Sequence, residues 1–420
     1  MDIYERLRSL GVEVGSGRVI RLASKPRAEP SVPIDQVIKG TYARSAWGEC
    51  FVTERYLPLT YRHGRVLLDP AGIYSSEAAA LLASEPPLSS IPLEQLAFLD
   101  TETTGLSGGT GTYVFLVGIG YLEGAEFRLQ QFFLRDYDQE KAFLANVNDL
   151  LGRFRGIVTF NGKAFDWPLL TTRFVYSRMS MGLVDPPHLD LLFPSRRLWR
   201  RRLGSCALPS LERHILEVER EEDVPSWLIP SLYFQYLRLG DASCLRQVFY
   251  HNVQDVVSLL ALTIQLCAIL TNPFGGLVNE PEDFLSLGLL FEKTGRPLDS
   301  QRAYEMAADA TTTPEVREKA QRHLGFLLKR TGQLEKAATI WLDLIATKPE
   351  AVLYPYVELA KYHEHHQHDY RAAEASVSRA LAVLDWRRAV SETDRDGIEA
   401  RELEHRRQRL RRKLQSAMSR

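Results

Sequence analysis

Short apolar segments rich in β-branched and aromatic residues dominate residues 93–272. LAFLD and TYVFLVGIGYL are nearly continuous apolar runs, and FRLQQFFL alternates apolar and polar positions, as strands do. KAFLANVNDLLGRF has helical spacing, GIVTF has the pattern of a further buried strand, and LRQVFYHNVQDVVSLLALTIQLCAIL predicts a long apolar helix. Strands followed by a helix, another strand and further helices predict an α/β domain with a mixed sheet flanked by helices.

The N-terminal segment, residues 1–92, has no comparably regular pattern. Pro26, Pro30 and Pro33 interrupt its first part, and a hairpin is predicted around RYLPLTYRHGRVLL with its turn at His63 and Gly64. The segment SEPPLSSIPLEQ is typical of a linker. We therefore predict an irregular N-terminal region and linker that end at residue 92.

A repeated helical pattern occupies residues 280–385. The segment LGLLFEKTGRPLDSQRAYEMA recurs as LGFLLKRTGQLEKAATIWLDL, with Gly288 and Gly325 aligned 37 positions apart, and a weaker copy, LAKYHEHHQHDYRAAEASVSRAL, follows. This pattern predicts an all-α region of tetratricopeptide-like repeats, whose concave surface suits a protein partner or self-association. Residues 386–420 are rich in arginine and predict an exposed helix or tail.

The composition is that of a soluble globular protein, with 45% hydrophobic and 25% charged residues, and the net charge of −1 favours no class of partner. The four cysteines include no CxxC pair, which argues against a zinc site or a disulfide framework. The charged start MDIYERLRSL is unlike a signal peptide, and the apolar run Val256 to Leu270 is too short for a membrane span. We expect a cytoplasmic protein without membrane contact.

Carboxylates stand where predicted elements begin or end. Asp100 and Glu102 end the first strand of the α/β domain, and positions i and i+2 of a strand face the same side. Adjacent carboxylates repel unless a cation separates them or one is protonated, and such ligands suit Mg²⁺ or Mn²⁺. Asp166 follows a buried strand in VTFNGKAFD, and Asp255 lies one helical turn after His251. Each acid alone also fits a structural role at a strand end or in a helix first turn.

The order of these motifs is more specific than any one of them. D-x-E on a first strand, N-x3-F-D after a later strand, and His and Tyr before an Asp on a final helix resemble the three exonuclease motifs of the DEDD (DnaQ-like) superfamily. SCALPSLERHILEVEREEDVPSWLIPSLYFQYL and YHNVQDVVSLLAL resemble the YprB-type RNase H-like family, whose members can carry C-terminal tetratricopeptide repeats. The resemblance covers residues 45–385 and is strongest across 96–270.

This resemblance implies a metal-dependent nuclease, a 3′→5′ exonuclease that hydrolyses phosphodiester bonds of DNA or RNA. It implies that two divalent ions, Mg²⁺ or Mn²⁺, activate a water and stabilise the leaving oxygen. The implied ligands are four carboxylates: Asp100, Glu102, Asp166 and Asp255. The superfamily's usual forms place Tyr four residues or His five residues before the last Asp, whereas this chain has the reverse. The general base is therefore His251 or Tyr250, and we favour His251, whose free pKa suits the task.

Basic and aromatic residues near this centre suggest how nucleic acid binds. The segment SRRLWRRR surrounds Trp199 with arginines, which neutralise phosphates, while an exposed aromatic ring stacks on a base of a single strand or 3′ end. We assign Asn161, Trp199, Arg200 and Arg201 to nucleic-acid binding; the alternative is a solvated basic loop with Trp199 packed inward. Asp190 fits a strand-end acid better than a fifth ligand, and the glycine-rich LSGGTGTY is predicted to border the site.

Two other functions fit the same residues. A catalytically weak adaptor would bind nucleic acid and recruit protein partners through its repeats, although retention of all four carboxylates disfavours it. A structure-specific endonuclease on the same scaffold would use the same two-metal chemistry, which determines the bond broken but not the polarity. DNA versus RNA, the cleavage mode, the oligomeric state and the pathway stay open at this stage.

Overall fold

A seven-stranded mixed sheet followed by a helical region forms the protein. A computed structural model describes residues 32–105, 111–221, 223–310, 313–347, 352–390 and 397–418. The strands in these ranges are β1 Thr41–Ser45, β2 Gly48–Pro58, β3 Arg62–His63, β4 Val66–Leu67, β5 Leu96–Thr103, β6 Val114–Glu123, β7 Glu126–Phe133, β8 Gly156–Thr159 and β9 His188–Asp190. The α-helices in them are α1 Ile34–Val37, α2 Ser76–Ala83, α3 Glu140–Leu151, α4 Asp166–Tyr176, α5 Leu192–Leu203, α6 Leu208–Leu211, α7 Ile229–Leu239, α8 Arg246–Thr271, α9 Pro281–Lys293, α10 Pro297–Ala310, α11 Pro314–Arg330, α12 Leu334–Thr347, α13 Tyr354–Tyr362, α14 Tyr370–Val390 and α15 Gly397–Met418.

The sheet has the strand order β1-β2-β7-β6-β5-β8-β9. Strands β1, β2, β7, β6 and β5 pair antiparallel in this order, and β8 and β9 add in parallel beside β5. In β6, nine of ten residues are buried, which is why this segment reads as a continuous apolar run. The predicted mixed sheet flanked by helices is confirmed.

The N-terminal boundary differs from the prediction. Residues 41–58, assigned from the sequence to an irregular region, form β1 and β2 of the central sheet. Strand β2 pairs with β7 over eight residue pairs, and Phe51 and Val52 join the core beneath them. A domain boundary at residue 93 would cut this sheet. Local pattern could not show it, because the partner strand lies some 80 residues further along the chain.

Helix α8 lies against β5 and β6 and is the central helix of the fold. The segment Ser243–Thr271 is long and apolar enough to cross a membrane, but most of its apolar stretch is buried inside the structure, as in a core helix. One buried cluster runs from Val66 through α8 to Trp341. The sheet and the helical region therefore share a core.

The helical C-terminal region repeats its packing. Gly288 of α9 lies against Tyr304, and Gly325 of α11 lies against Trp341, so a side chain at either glycine would overlap the aromatic ring of the next helix. In the first two copies the turn between the helices contains a left-handed glycine, Gly295 and Gly332, whereas in the weaker third copy a π-helical turn ends at His368, φ 54°. A repeated helix pair is therefore present, while its assignment to the tetratricopeptide class stays a prediction.

The arginine-rich C-terminal helix α15 is docked on the helices before it. Leu410 is fully buried against α14. Three of its basic side chains surround the buried carboxylate of Glu364, at 3.1 Å from Arg406, 2.7 Å from Arg409 and 3.0 Å from Lys413. The sequence predicted an exposed helix or tail here; a helix is present, but it is docked through Leu410 and through its charge pairs with the buried Glu364.

Candidate active site

The C-terminal half of β5 is the centre of the candidate site. Burial along this strand changes from complete at residues 96–99 to partial at 100–103, and Asp100 and Glu102 face the same side of it. Asn252 of α8 donates a hydrogen bond from Nδ2 to Oδ2 of Asp100 at 2.8 Å, and Gln131 of β7 donates to Oδ1 of Asn252 at 2.8 Å. A chain of amides from the sheet and helix thereby orients the Asp100 carboxylate.

Asp166 reaches this centre from the first turn of α4. Thr101 donates from Oγ1 to Oδ1 of Asp166 at 2.6 Å, which ties the start of the helix to the end of β5. Asp190 holds the segment before it, because its carboxylate accepts from the backbone N–H groups of Asn161 at 2.7 Å and Lys163 at 3.1 Å. A third backbone N–H, that of Leu192, donates to Asp190 at 3.1 Å, so Asp190 is a structural acid rather than a fifth ligand.

Asp255 and His251 lie one turn apart on α8. The Nε2 atom of His251 is 3.6 Å from Oδ2 of Asp255, and its Nδ1 atom is 2.8 Å from Oδ1 of Asp223. Asp223 therefore orients the imidazole. Tyr250 instead lines a different cavity, which also contains Lys39 and Arg55. Of the two possible general bases, His251 is the one beside the carboxylates.

A buried arginine completes the surroundings of Asp255. Arg220, with a side chain only 8% exposed, forms an ion pair with Asp255. It also donates from Nε to Oε2 of Glu212 at 2.7 Å and from Nη1 to Oδ2 of Asp223 at 3.0 Å. One guanidinium thus joins three carboxylates. Although burial by itself would lower the pKa of Arg220, Asp255 and Glu212 raise it, so the group stays charged.

Sequence reasoning missed Glu212, Arg220 and Asp223. They lie in the segment ERHILEVEREEDV, whose mixed charges are those of an ordinary solvated turn. The only signal was the resemblance of this segment to the YprB-type family, and that resemblance assigns no role to the individual residues. Only the approach of this segment to α8 shows that Glu212 and Arg220 are buried and that Asp223 is partly buried.

Burial raises the pKa values of three acids at this centre, Asp100, Glu102 and Asp166. The pKa of Asp100 lies well above its usual range, because of burial and then of the negative charges of Asp255, Glu102 and Asp166. Burial raises the pKa of Glu102 to about 8, against the opposing effect of His251, and that of Asp166 to about 6, against its hydrogen bond from Thr101. The four predicted carboxylates therefore lie close enough to repel one another, and cations would stabilise them.

The donor set fits hard divalent cations in chemistry, since it offers carboxylate oxygens and no thiolate. In the described part of the chain, however, no group of three or more His, Cys, Asp and Glu side chains is already spaced to hold one ion. Asp255 is engaged by Arg220, and Asp100 by Asn252. Metal binding at this centre would therefore require carboxylates to turn toward a common point.

The predicted nucleic-acid-binding residues separate into two groups. Arg200 and Arg201 are exposed on α5, and Asn161 is half-buried with a left-handed φ of 65° at the end of β8. Trp199 is only 2% exposed and packs in the core, so the prediction that it stacks on a base is not supported. Phe165, which directly precedes Asp166, is 51% exposed and was not assigned from the sequence. Residues 106–110 of the glycine-rich loop lie outside the described residues.

Comparison with known proteins identifies the fold family. A model of the RNase H superfamily matches residues 97–267, the part from β5 to α8 that carries all four carboxylates. The protein therefore contains an RNase H-like domain, the fold of a large class of nucleases. The chain is also 30% identical over 356 residues to the protein of Bacillus subtilis (strain 168) named "Uncharacterized protein YprB", with 80% of this chain and 82% of that protein covered. It belongs to the YprB family.

A weaker likeness is found to a solved structure, the family B DNA polymerase of the archaeon Pyrobaculum calidifontis. The TM-score is 0.32 and the identity 16%, and the match covers 48% of this chain and 29% of the polymerase. A likeness of this size does not bear on activity.

Proposed function

We propose that the protein is a divalent-metal-dependent nuclease that hydrolyses phosphodiester bonds, acting as a 3′→5′ exonuclease on DNA or RNA. The observation that carries the proposal is the meeting of four carboxylates, from β5, α4 and α8, at one centre of an RNase H-like domain. Burial raises three of their pKa values, and for Asp100 and Glu102 the charges of the neighbouring carboxylates raise them further. Such a cluster is costly without cations, and RNase H-like nucleases usually use divalent metals.

The proposed ligands are Asp100, Glu102, Asp166 and Asp255, which would hold two Mg²⁺ or Mn²⁺ ions. When bound, such ions supply Lewis-acid polarisation of the phosphate and a more acidic water. His251 is proposed to take the proton of the attacking water at Nε2, with Asp223 orienting the ring through Nδ1.

His251 can act as a base only when it is neutral. Burial alone would lower its pKa, but the hydrogen bond to Asp223 and the charges of Asp255 and Glu102 raise it to about 9. Positive charge near those two carboxylates would offset this effect and return the pKa toward the working range. The proposed base therefore depends on cations at the same centre.

Nucleic acid is proposed to bind beside this centre through Asn161, Arg200 and Arg201, as a single strand or a 3′ end. Phe165 adds an exposed ring next to Asp166 that suits base stacking. The helical repeats remain a proposed surface for a protein partner or for self-association.

A binding-only adaptor is the second candidate. It is favoured by the ion pair of Asp255 with Arg220 and by the lack, within the described ranges, of a ligand set already spaced for an ion. An inactive adaptor would bind nucleic acid but leave every substrate intact.

The experiment that separates these functions is cleavage of 3′- and 5′-labelled single- and double-stranded DNA and RNA, with Mg²⁺, Mn²⁺ or EDTA. The wild type is compared with Asp100→Asn and with the control Asp149→Asn, which changes an exposed acid of α3. Metal-dependent shortening from the 3′ end, lost only in Asp100→Asn, supports the exonuclease. Cleavage of a circular strand would indicate an endonuclease, and intact substrates with retained binding would indicate the adaptor.

A further inference from the structure

A basic groove lies between α5 and α9, where the RNase H-like domain meets the helical region. It encloses about 580 Å³ and is also lined by Ser286, Leu289 and Leu290. Its charged lining consists of five basic side chains: Arg196, Arg197, Arg200, Arg201 and Lys293. No acidic residue belongs to the lining found among the described residues, so the groove is a concentration of positive charge.

These positive charges are not neutralised within the fold. Arg197 donates to the backbone oxygen of Leu82 at 3.0 Å and to Oγ of Ser84 at 3.3 Å, both uncharged. The other four basic side chains of the groove have no carboxylate within ion-pair distance in the described parts of the chain. Their neighbour Arg202, by contrast, pairs with Asp283 at 2.8 Å. The fold thus anchors α5 to α9 with one arginine and leaves the groove arginines open to an external anion.

Helical spacing arranges four of the charges in two rows. Arg196 and Arg200, and likewise Arg197 and Arg201, are one turn apart, about 6 Å along the axis. Like charges at this spacing destabilise a helix unless an anion lies against them. The burial of Trp199, 2% exposed, turns the opposite side of α5 into the core and keeps this face outward. A regular row of cations suits a polyanion with repeated charges better than a single phosphate.

The groove is joined to the candidate active site through Asp190. This residue ends β9, α5 begins two residues after it, and its carboxylate holds the backbone of Asn161 and Lys163 just before Asp166. The helix that carries the arginines and the segment that carries a site carboxylate are therefore fastened to one buried side chain.

The groove also continues onto the helical region. A second cavity, of about 700 Å³, shares Leu289 and Lys293 with it and extends to Arg330, whose charge is paired with Glu292 in the same lining. A bound strand that follows the groove would therefore contact the repeats as well as the RNase H-like domain.

We propose that this groove binds the phosphate backbone of a nucleic-acid strand outside the carboxylate centre, so that the helical region binds substrate through Lys293. The identification of the polyanion as nucleic acid rests on the proposed nuclease function. The positive groove and its position at the junction are independent of it.

The test measures binding of a fluorescein-labelled single-stranded oligonucleotide by anisotropy in EDTA, where no cleavage occurs. At salt concentrations between about 50 and 200 mM, the Kd of the triple variant Arg196→Glu, Arg200→Glu, Arg201→Glu should be at least about tenfold above that of the wild type. The slope of log K against log salt is negative, and its magnitude should decrease by about 2, because the variant loses three phosphate contacts that contribute about 0.7 each on a single strand. Lys293→Glu alone should raise Kd by a smaller factor.

The matched control reverses three exposed charges that do not line the groove: Arg238→Glu, Lys319→Glu and Arg371→Glu. It has the same change in net charge, and its Kd should stay within about twofold of the wild type. Equal weakening in both triple variants, or none in the groove variant, overturns the proposal, provided that circular dichroism shows both folded. If the Kd of Lys293→Glu equals that of the wild type, the helical region is not part of the proposed binding surface.

Two further measurements separate the groove from the proposed chemistry. Hydrolysis of the p-nitrophenyl ester of thymidine 5′-monophosphate by the wild type with Mn²⁺ tests the carboxylate centre alone. If no hydrolysis occurs but oligonucleotide binding still depends on the groove residues, the proposed nuclease activity is refuted and the proposed binding by the groove is retained. Competition with polyglutamate or with phosphatidylserine vesicles tests the ligand class: displacement of the oligonucleotide at equal charge concentration would overturn the assignment to nucleic acid.

Discussion

Arg220→Ala would remove the guanidinium that joins Glu212, Asp223 and Asp255. The Glu212 side chain is only 1% exposed, so its carboxylate would lose its cation without gaining access to water. Asp223 and Asp255 are 19% and 15% exposed and can gain some hydration. Removing one partner of a buried ion pair costs about 3–5 kcal/mol, and we expect the lower end, about 3 kcal/mol, because Ser258 still donates to Glu212.

The pH dependence of this loss provides an internal check. Burial already raises the pKa of Glu212 above its usual value in spite of Arg220, and without Arg220 it would rise further. A carboxyl whose pKa is raised by folding disfavours the native state when ionised and ceases to do so when protonated. The destabilisation of Arg220→Ala should therefore shrink as the pH is lowered from 8 toward 5. The double variant Arg220→Ala, Glu212→Gln should lose less than Arg220→Ala alone.

The assay is urea unfolding followed by tryptophan fluorescence at several pH values. Arg220→Lys should be intermediate, because an ammonium keeps the charge but cannot contact three carboxylates as a planar fork does. Arg44→Ala, which breaks a pair with side chains 85% and 43% exposed, is the control and should cost much less. An Arg220→Ala protein within about 1 kcal/mol of the wild type at pH 8 would refute the view that Arg220 compensates buried charge.

Three predictions concern the proposed chemistry. Asp100→Asn should abolish metal-dependent cleavage while oligonucleotide binding, followed by gel shift, survives; retained cleavage would contradict the site assignment. His251→Ala should reduce kcat by about 10²–10⁴, the range for a lost general base, and Tyr250→Phe far less; the opposite ranking would transfer the role to Tyr250. Mn²⁺ affinity, measured by calorimetry, should rise between pH 6 and 8, because Glu102, with a pKa of about 8, must lose its proton to bind an ion; a flat profile would contradict this.

Local pattern was sufficient for the elements of the site. The apolar run LAFLD predicts a strand whose last residues bring Asp100 and Glu102 to one side. The 26-residue helix α8 follows from the largely apolar run Val256 to Leu270 and the absence of glycine and proline from its sequence. The aligned glycines Gly288 and Gly325 revealed the helical repeat, because close helix packing at each needs the same small residue. Each of these properties depends on neighbours within a few turns or a few strand positions.

The tertiary structure alone decided which distant segments meet. It placed residues 41–58 in the central sheet, turned Trp199 into the core, and brought Arg220 onto Asp255 from 35 positions away. The local sequence pattern of a charged segment such as EVEREEDV does not show which of its side chains are solvated and which are buried, because burial depends on the surface packed against the segment. The sequence thus determined the strands, helices, repeats and acids of this protein. Their partners and the basic groove followed only from packing, because pairing between remote segments leaves no periodicity in the chain.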